Sequence, residues 1–117
     1  NLGGPMDCIF CKLANKEIPT EIVYEDDYVF AFNDMYPQAP THILFMPKKH
    51  YTSHHDLADD DLIISRIFSA IRKVAEERGL DKTGYRIVNN IGKDGGQTVM
   101  HMHFHLLAGK KLKERFD

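Results

Sequence analysis

The chain has 117 residues, of which 43% are hydrophobic and 27% charged; 15 basic against 17 acidic side chains leave a formal net charge of −2. That size and balance predict one domain with a real core, and exclude a protein that grips nucleic acid through bulk positive charge. No apolar run of roughly 18 residues predicts a membrane span, and no basic-then-apolar leader marks a secretory signal, so the expected setting is cytoplasmic. Asn1 to Pro5, ahead of Met6, read as a cloning remnant, and the fold argument covers residues 6–117.

Ile9 to Asn15 predicts a short helix, and Ile18-Pro19 forces an extended exit, because a residue before proline avoids the helical region. Ile22-Val23-Tyr24 and Tyr28 to Phe32 are short strands joined at Glu25-Asp26-Asp27 into a hairpin. Asn33 to Pro40 is a loop with two prolines and no periodicity. His42 to Pro47 is a third strand, with His42, Leu44 and Met46 on one face and Ile43 and Phe45 on the other. A lone histidine on such a face is more often a hydrogen-bonded core residue than a catalyst. Asp59 to Arg78 predicts the one long helix: Ile64, Ile67, Phe68, Ile71, Val74 and Ala75 form an apolar stripe, the acidic residues 59–61 open it, and Gly79 stops it. Tyr85 to Asn89 is a fourth strand, and a polar, charged tail begins at Lys110.

The most informative stretch is His101-Met102-His103-Phe104-His105-Leu106-Leu107. Three of the chain's seven histidines alternate here with apolar residues. Alternation is strand spacing, so His101, His103 and His105 should line one face, their Cβ atoms about 7 Å apart, while Met102, Phe104 and Leu106 enter a core on the other. Neutral imidazoles can act as nucleophiles, proton carriers or metal ligands, and side by side they resist joint protonation. One or two should therefore stay neutral, and a neutral ring nitrogen can attack phosphorus. The glycine-rich loop Asn90 to Gly96 leads directly into this strand and reads as a phosphate cradle of inward-pointing backbone N–H groups.

The cysteines, Cys8 and Cys11, stand in a Cys-x-x-Cys spacing. In a reducing setting this means redox chemistry or half a zinc site. No strand precedes Cys8, as a redox βαβ motif would need, and His42, His50, His101 and His103 are later ligand candidates, so a zinc knuckle is favoured. Five strands, one long helix and one short N-terminal helix predict an α+β fold, a mostly antiparallel sheet with the long helix on one face.

The histidine stretch resembles the histidine triad signature, His-φ-His-φ-His-φ-φ with φ apolar. Together with Gly95-Gly96-Gln97-Thr98-Val99 before it, and Pro40-Thr41-His42 leading to Pro47-Lys48-Lys49-His50, it resembles the histidine triad nucleotide-binding branch of that superfamily, from about Cys8 to Leu107. The resemblance implies a homodimer that binds purine nucleotides resembling AMP and hydrolyses nucleoside 5′-phosphoramidates, with adenosine phosphoramidates as the type substrate. His103 would be the nucleophile forming a nucleotidyl-histidine intermediate. His105 would hold phosphate oxygens, and His101 and His42 would support His103. Asn90, Gly96, Gln97 and Thr98 match positions contacting phosphate, ribose or leaving group. Asp34 matches the ribose-binding acid, and Ile18, Phe32, Asn33 and Met35 match walls of the base pocket. The cysteines resemble those of bacterial-type members in which Cys8, Cys11, His50 and His101 would hold a structural zinc, with no cofactor needed for catalysis. The alternatives are a dinucleoside polyphosphate hydrolase, a non-catalytic nucleotide- or zinc-binding protein, and a zinc hydrolase with an open metal. The nucleotidyl-transferase branch usually replaces the last histidine with glutamine, and this chain keeps His105.

Overall fold

The alternation of side chains along the third strand sorts the molecule into two apolar layers. In a computed structural model that describes residues 7–115, this strand, β3 (Thr41–Pro47), is central in a five-stranded sheet. Ile43 and Phe45 enter one layer and Leu44 and Met46 the other. The remaining strands are β1 (Ile22–Glu25), β2 (Val29–Asn33), β4 (Arg86–Val88) and β5 (Phe104–Ala108). Their spatial order is β1-β2-β3-β5-β4, and every neighbouring pair is antiparallel. The expected α+β architecture is therefore present.

The larger layer is capped by the long helix α2 (Ile63–Glu77), whose Ile67, Ile71 and Val74 are buried against Ile43, Phe45 and Leu106. Each such side chain contributes roughly 1.5–3 kcal/mol by leaving water. The smaller layer lies under α1 (Ile9–Ala14), which buries Phe10 and Leu13 against Phe30, Phe32, Leu44 and Met46.

Three expectations need correction. The long helix begins at Ile63, not Asp59: Ala58–Asp61 forms a turn, and the Asp61 carboxylate accepts from the Ile63 amide at 2.9 Å. The acidic run therefore precedes the first helical turn. Phe68, placed in the apolar stripe, is 38% exposed, though its ring packs edge-on to Phe104 of the core. After Gly79, which takes the left-handed conformation foreseen for a helix stop, the chain forms an unforeseen one-turn helix, α3 (Leu80–Thr83). The third correction governs the site. β5 starts at Phe104, so His101 and His103 lie ahead of the ladder. β4 supplies partners only from Arg86 to Val88, and β3 reaches no further than Phe45 opposite Phe104. Upstream, the Met102 amide instead donates to the Tyr51 carbonyl at 2.6 Å. Facial alternation survives all the same: Met102, Phe104 and Leu106 are buried in the α2 layer.

Candidate active site

Because His101 and His103 lie outside the ladder, their backbone groups are available to side chains. The His103 ring packs edge-on to Phe10 of α1, centroids 5.1 Å apart, and its Nδ1 lies 2.7 Å from the His101 carbonyl. A carbonyl only accepts, so Nδ1 carries the proton and Nε2 keeps its lone pair. The Asn89 amide donates to the His103 carbonyl at 2.8 Å, standing in for the ladder bond that β4 no longer provides.

A second chain of bonds fixes the neighbouring rings. The Gln38 backbone amide donates to His42 Nδ1 at 3.1 Å, so the His42 proton is on Nε2. That nitrogen lies 2.9 Å from His105 Nδ1, which must accept, leaving His105 with its proton on Nε2. The His103 and His105 ring centroids are 5.1 Å apart. One ring thus presents a bare nitrogen and its neighbour an N–H. Burial holds His42 and His103 below the ordinary imidazole range, while burial and then the neighbouring His103 and His42 hold His105 at about 4. All three rings are neutral at neutral pH.

A cleft of about 370 Å³ opens on this arrangement, lined among others by Asp34, His42, Asn90, Gly96, Thr98, His103 and His105. It gathers seven of the residues expected to touch nucleotide or to do chemistry. Asp34 has two contacts: one carboxylate oxygen accepts from the Tyr36 amide at 2.8 Å, a turn cap, and the other lies 3.4 Å from His42 Nε2. The other expected residues stand apart from the cleft lining. Phe32 is buried with Phe10 and Phe30, and Ile18 is half-buried against that same cluster. Asn33 is an exposed end of β2, and Met35 is 83% exposed. The side chain of Gln97 is turned away and buried: its amide nitrogen donates to the Thr52 and Val99 carbonyls at 2.8 and 3.1 Å, and its oxygen accepts from the Gly92 amide at 2.9 Å. The glycine loop is in part closed on itself. The amides of Gly92, Gly96 and Gln97 all bond within the loop, and Gly95 sits against the Ile91 carbonyl where a Cβ would have 2.3 Å.

Sequence reasoning missed four cleft residues. Leu107 and Val88 could have been found by parity, since Leu107 shares a face with His105 and Val88 pairs directly with it. Tyr36 and Gln38 lie in the proline loop, where no periodicity points.

His101 belongs to a different cluster. Its Nε2 donates to the Pro47 carbonyl at 2.8 Å, which leaves the Nδ1 lone pair facing Cys8 Sγ at 3.4 Å, Cys11 Sγ at 3.5 Å and His50 Nδ1 at 3.2 Å. Cys11 Sγ lies 3.3 Å from His50 Nδ1, and all four donor atoms fall within 4.8 Å of one another. These four separations match edges of a tetrahedron that could hold a metal ion. Zinc–nitrogen bonds of about 2.05 Å and zinc–sulfur bonds of about 2.3 Å require N···N near 3.3 Å and S···N near 3.6 Å. Burial and then the Cys8 sulfur push the Cys11 thiol up to about 12, so two thiolates share this space only with a cation between them. The four expected metal ligands are therefore together, and they fit the ion. Asp34, His42 and His105 also lie within 4.8 Å of one another. There the two rings satisfy each other by hydrogen bonding, and the group reads as a relay.

The HIT domain family matches residues 15–112 of the chain. The chain belongs to the histidine triad, or HIT, family. This HIT protein is 57% identical to a histidine triad protein from Clostridium difficile, whose structure superposes with a TM-score of 0.92 over 97% of this chain and 99% of that one. A HIT family hydrolase from Legionella pneumophila is 45% identical, with a TM-score of 0.88 over 92% of this chain and 97% of that one. The purine nucleoside phosphoramidase of Escherichia coli is 43% identical over 107 residues, 91% of this chain and 90% of the relative. An uncharacterised HIT-like protein of Rickettsia prowazekii is 45% identical over 89% of this chain and 88% of the relative. No helix among the described residues is long and apolar enough to cross a membrane.

Proposed function

We propose that this HIT protein is a hydrolase that cleaves the phosphorus–nitrogen bond of purine nucleoside phosphoramidates, with adenosine 5′-phosphoramidates as the type substrate. The observation that carries the reading is the His103 tautomer: a proton held on Nδ1 by the His101 carbonyl, and a bare Nε2 on the cleft beside the N–H of His105. The name of the Escherichia coli relative, a purine nucleoside phosphoramidase, supports the same substrate class.

In this mechanism His103 Nε2 attacks phosphorus while His105 Nε2–H donates to a phosphate oxygen. A P–N(His) bond forms as the P–N bond of the substrate breaks, and the amine leaves with a proton that solvent supplies through the Thr98 hydroxyl. Water then attacks phosphorus, the P–N(His) bond breaks, the proton of the water passes back to solvent, and His103 recovers its bare Nε2 as the nucleoside monophosphate leaves. Splitting one displacement into two is covalent catalysis. Asp34, with two acceptor oxygens, suits the vicinal hydroxyls of ribose. Asn90 and Gly96 flank the phosphate. Ile18, Phe32, Asn33 and Met35 remain assigned to the base end of the site, and the side chain of Gln97 acts by holding the loop.

Cys8, Cys11, His50 and His101 would hold a structural zinc, which would neutralise two thiolates and fix the segment before β5. Four protein ligands close the site, so no cofactor is required for the reaction itself. A cytoplasmic homodimer completes the reading. Dinucleoside polyphosphates would undergo the same displacement with a different leaving group and are the second substrate class.

The test is a rapid alkaline denaturing quench with adenosine 5′-phosphoramidate, under which a P–N(His) bond survives, followed by peptide mass spectrometry. The expected result is a nucleotidyl group on the peptide spanning residues 101–105, absent in His103→Ala. Full turnover by His103→Ala would overturn the covalent reading.

A further inference from the structure

The Cys8–Cys11 pair does more in this structure than complete a ligand set. Cys8 is half-buried, whereas Cys11 is fully buried. Cys8 and His50 line a surface cleft of about 310 Å³ that also includes Val99 and Met100, so Cys8 borders solvent. Cys8 caps α1 with its sulfur, which accepts from the Cys11 amide at 3.4 Å, and the two sulfurs lie within 4.8 Å of each other. A bridge between positions i and i+3 at this junction therefore needs only local rotation.

Three connections run from the pair to the reacting histidine. The His101 ring touches both sulfurs through Nδ1, while the His101 carbonyl holds His103 Nδ1–H at 2.7 Å. Phe10, between the cysteines in sequence, packs against both rings, with centroids 5.8 Å from His101 and 5.1 Å from His103. Thr98 lines both the Cys8 cleft and the nucleotide cleft. Whatever moves the sulfurs moves the groups that orient His103.

We propose that Cys8 and Cys11 are a peroxide-oxidised dithiol whose conversion to a disulfide disables the His103 site; the catalytic consequence rests on the function proposed above. The Cys8 sulfur attacks one peroxide oxygen, the O–O bond breaks, and the sulfur becomes a sulfenic acid as water leaves. The Cys11 sulfur attacks the Cys8 sulfur, the S–S bond forms, and a second water leaves. Two thiolates lose two electrons, and one peroxide with two protons gains them to give two waters. With both sulfurs neutral, Cys8 and Cys11 would no longer hold a cation beside His50 and His101. His101, freed on its Nδ1 side, no longer fixes its carbonyl against His103. His101 is a positioning residue in this scheme.

The experiment treats reduced, zinc-loaded protein with hydrogen peroxide and follows four readings. Expected are loss of two hydrogens in mass on the peptide holding Cys8 and Cys11, appearance of zinc on a chromogenic chelator, disappearance of the hydrogen-bonded His103 Nδ1–H proton from the NMR spectrum, and a fall in phosphoramidate turnover of at least about ten-fold. Dithiothreitol with zinc restores all four, which separates the disulfide from irreversible damage and from oxidation of the exposed Met100. Thiols that stay titratable after peroxide overturn the oxidation site. A disulfide formed with turnover and the Nδ1–H signal both unchanged overturns the link to His103. If the reduced, loaded protein shows no turnover at all, the function proposed above fails instead, and the mass, zinc and NMR readings still decide the dithiol.

Discussion

Replacing Gln97 with methionine tests how the glycine loop is held beside the cleft. Methionine keeps the length and flexibility of glutamine and removes only its polar end. Three hydrogen bonds disappear, to the Thr52 carbonyl, the Val99 carbonyl and the Gly92 amide, from a side chain only 8% exposed. Each is worth about 1 kcal/mol net, and a main-chain group left without a partner away from water costs more, so the expected loss is about 3 kcal/mol. Urea unfolding is the assay. The midpoint should fall with the slope unchanged, because the surface exposed on unfolding is the same. Gln97→Glu sharpens the test. It keeps an oxygen for Gly92 but sets a carboxylate oxygen against two carbonyls, so it should be no more stable than Gln97→Met. Since Gly96 and Thr98 ride on this loop, KM for phosphoramidate should rise in both variants. A loss below about 1 kcal/mol in Gln97→Met would refute the claim that these three bonds hold the loop.

Acidification should weaken the fold. His105 has its folded pKa depressed from 6.5 to about 4 by burial and then by His103 and His42, so between these values the unfolded chain binds the extra proton. Its contribution is complete above about pH 6.5 and is lost as pH falls toward 4, with His42 acting in the same direction. Thermal melts from pH 7.5 to 4.5 check this, and a flat profile contradicts it. Elemental analysis should find one zinc per chain, and a strong chelator or Cys11→Ser should lower the melting temperature by several degrees; metal-free protein of equal stability would count against the knuckle. His42→Ala removes the donor that fixes the His105 tautomer, and turnover should fall by about ten- to a hundred-fold with KM changed less.

Much of this architecture was legible because its signals are local and periodic. Alternation in β3 sorted Ile43 and Phe45 from Leu44 and Met46, and alternation from Met102 to Leu106 sorted core from site, even where the ladder is missing. What could not be read was the start of β5. That boundary depends on where β4 stops supplying partners, a long-range fact that no residue near His101 encodes. The helix start failed for a different reason. By its sequence Asp61 reads as a first-turn acid acting through the dipole, whereas its carboxylate accepts directly from the Ile63 amide at the end of the preceding turn. The wall residues Ile18 and Phe32 came from resemblance, and their burial beneath α1 could not be anticipated from their own chemistry.

The donor that settles the proton position on His42 is the main-chain amide of Gln38, not a side chain. Sequence drift at that position therefore leaves the electronics of the site intact, because nineteen of the twenty residue types bring the same N–H. Proline is the one replacement that deletes it, in a stretch that already tolerates proline at positions 37 and 40. The site's protonation pattern is inherited through the path of the chain, and a conservation survey of side chains would pass over the atom that sets it.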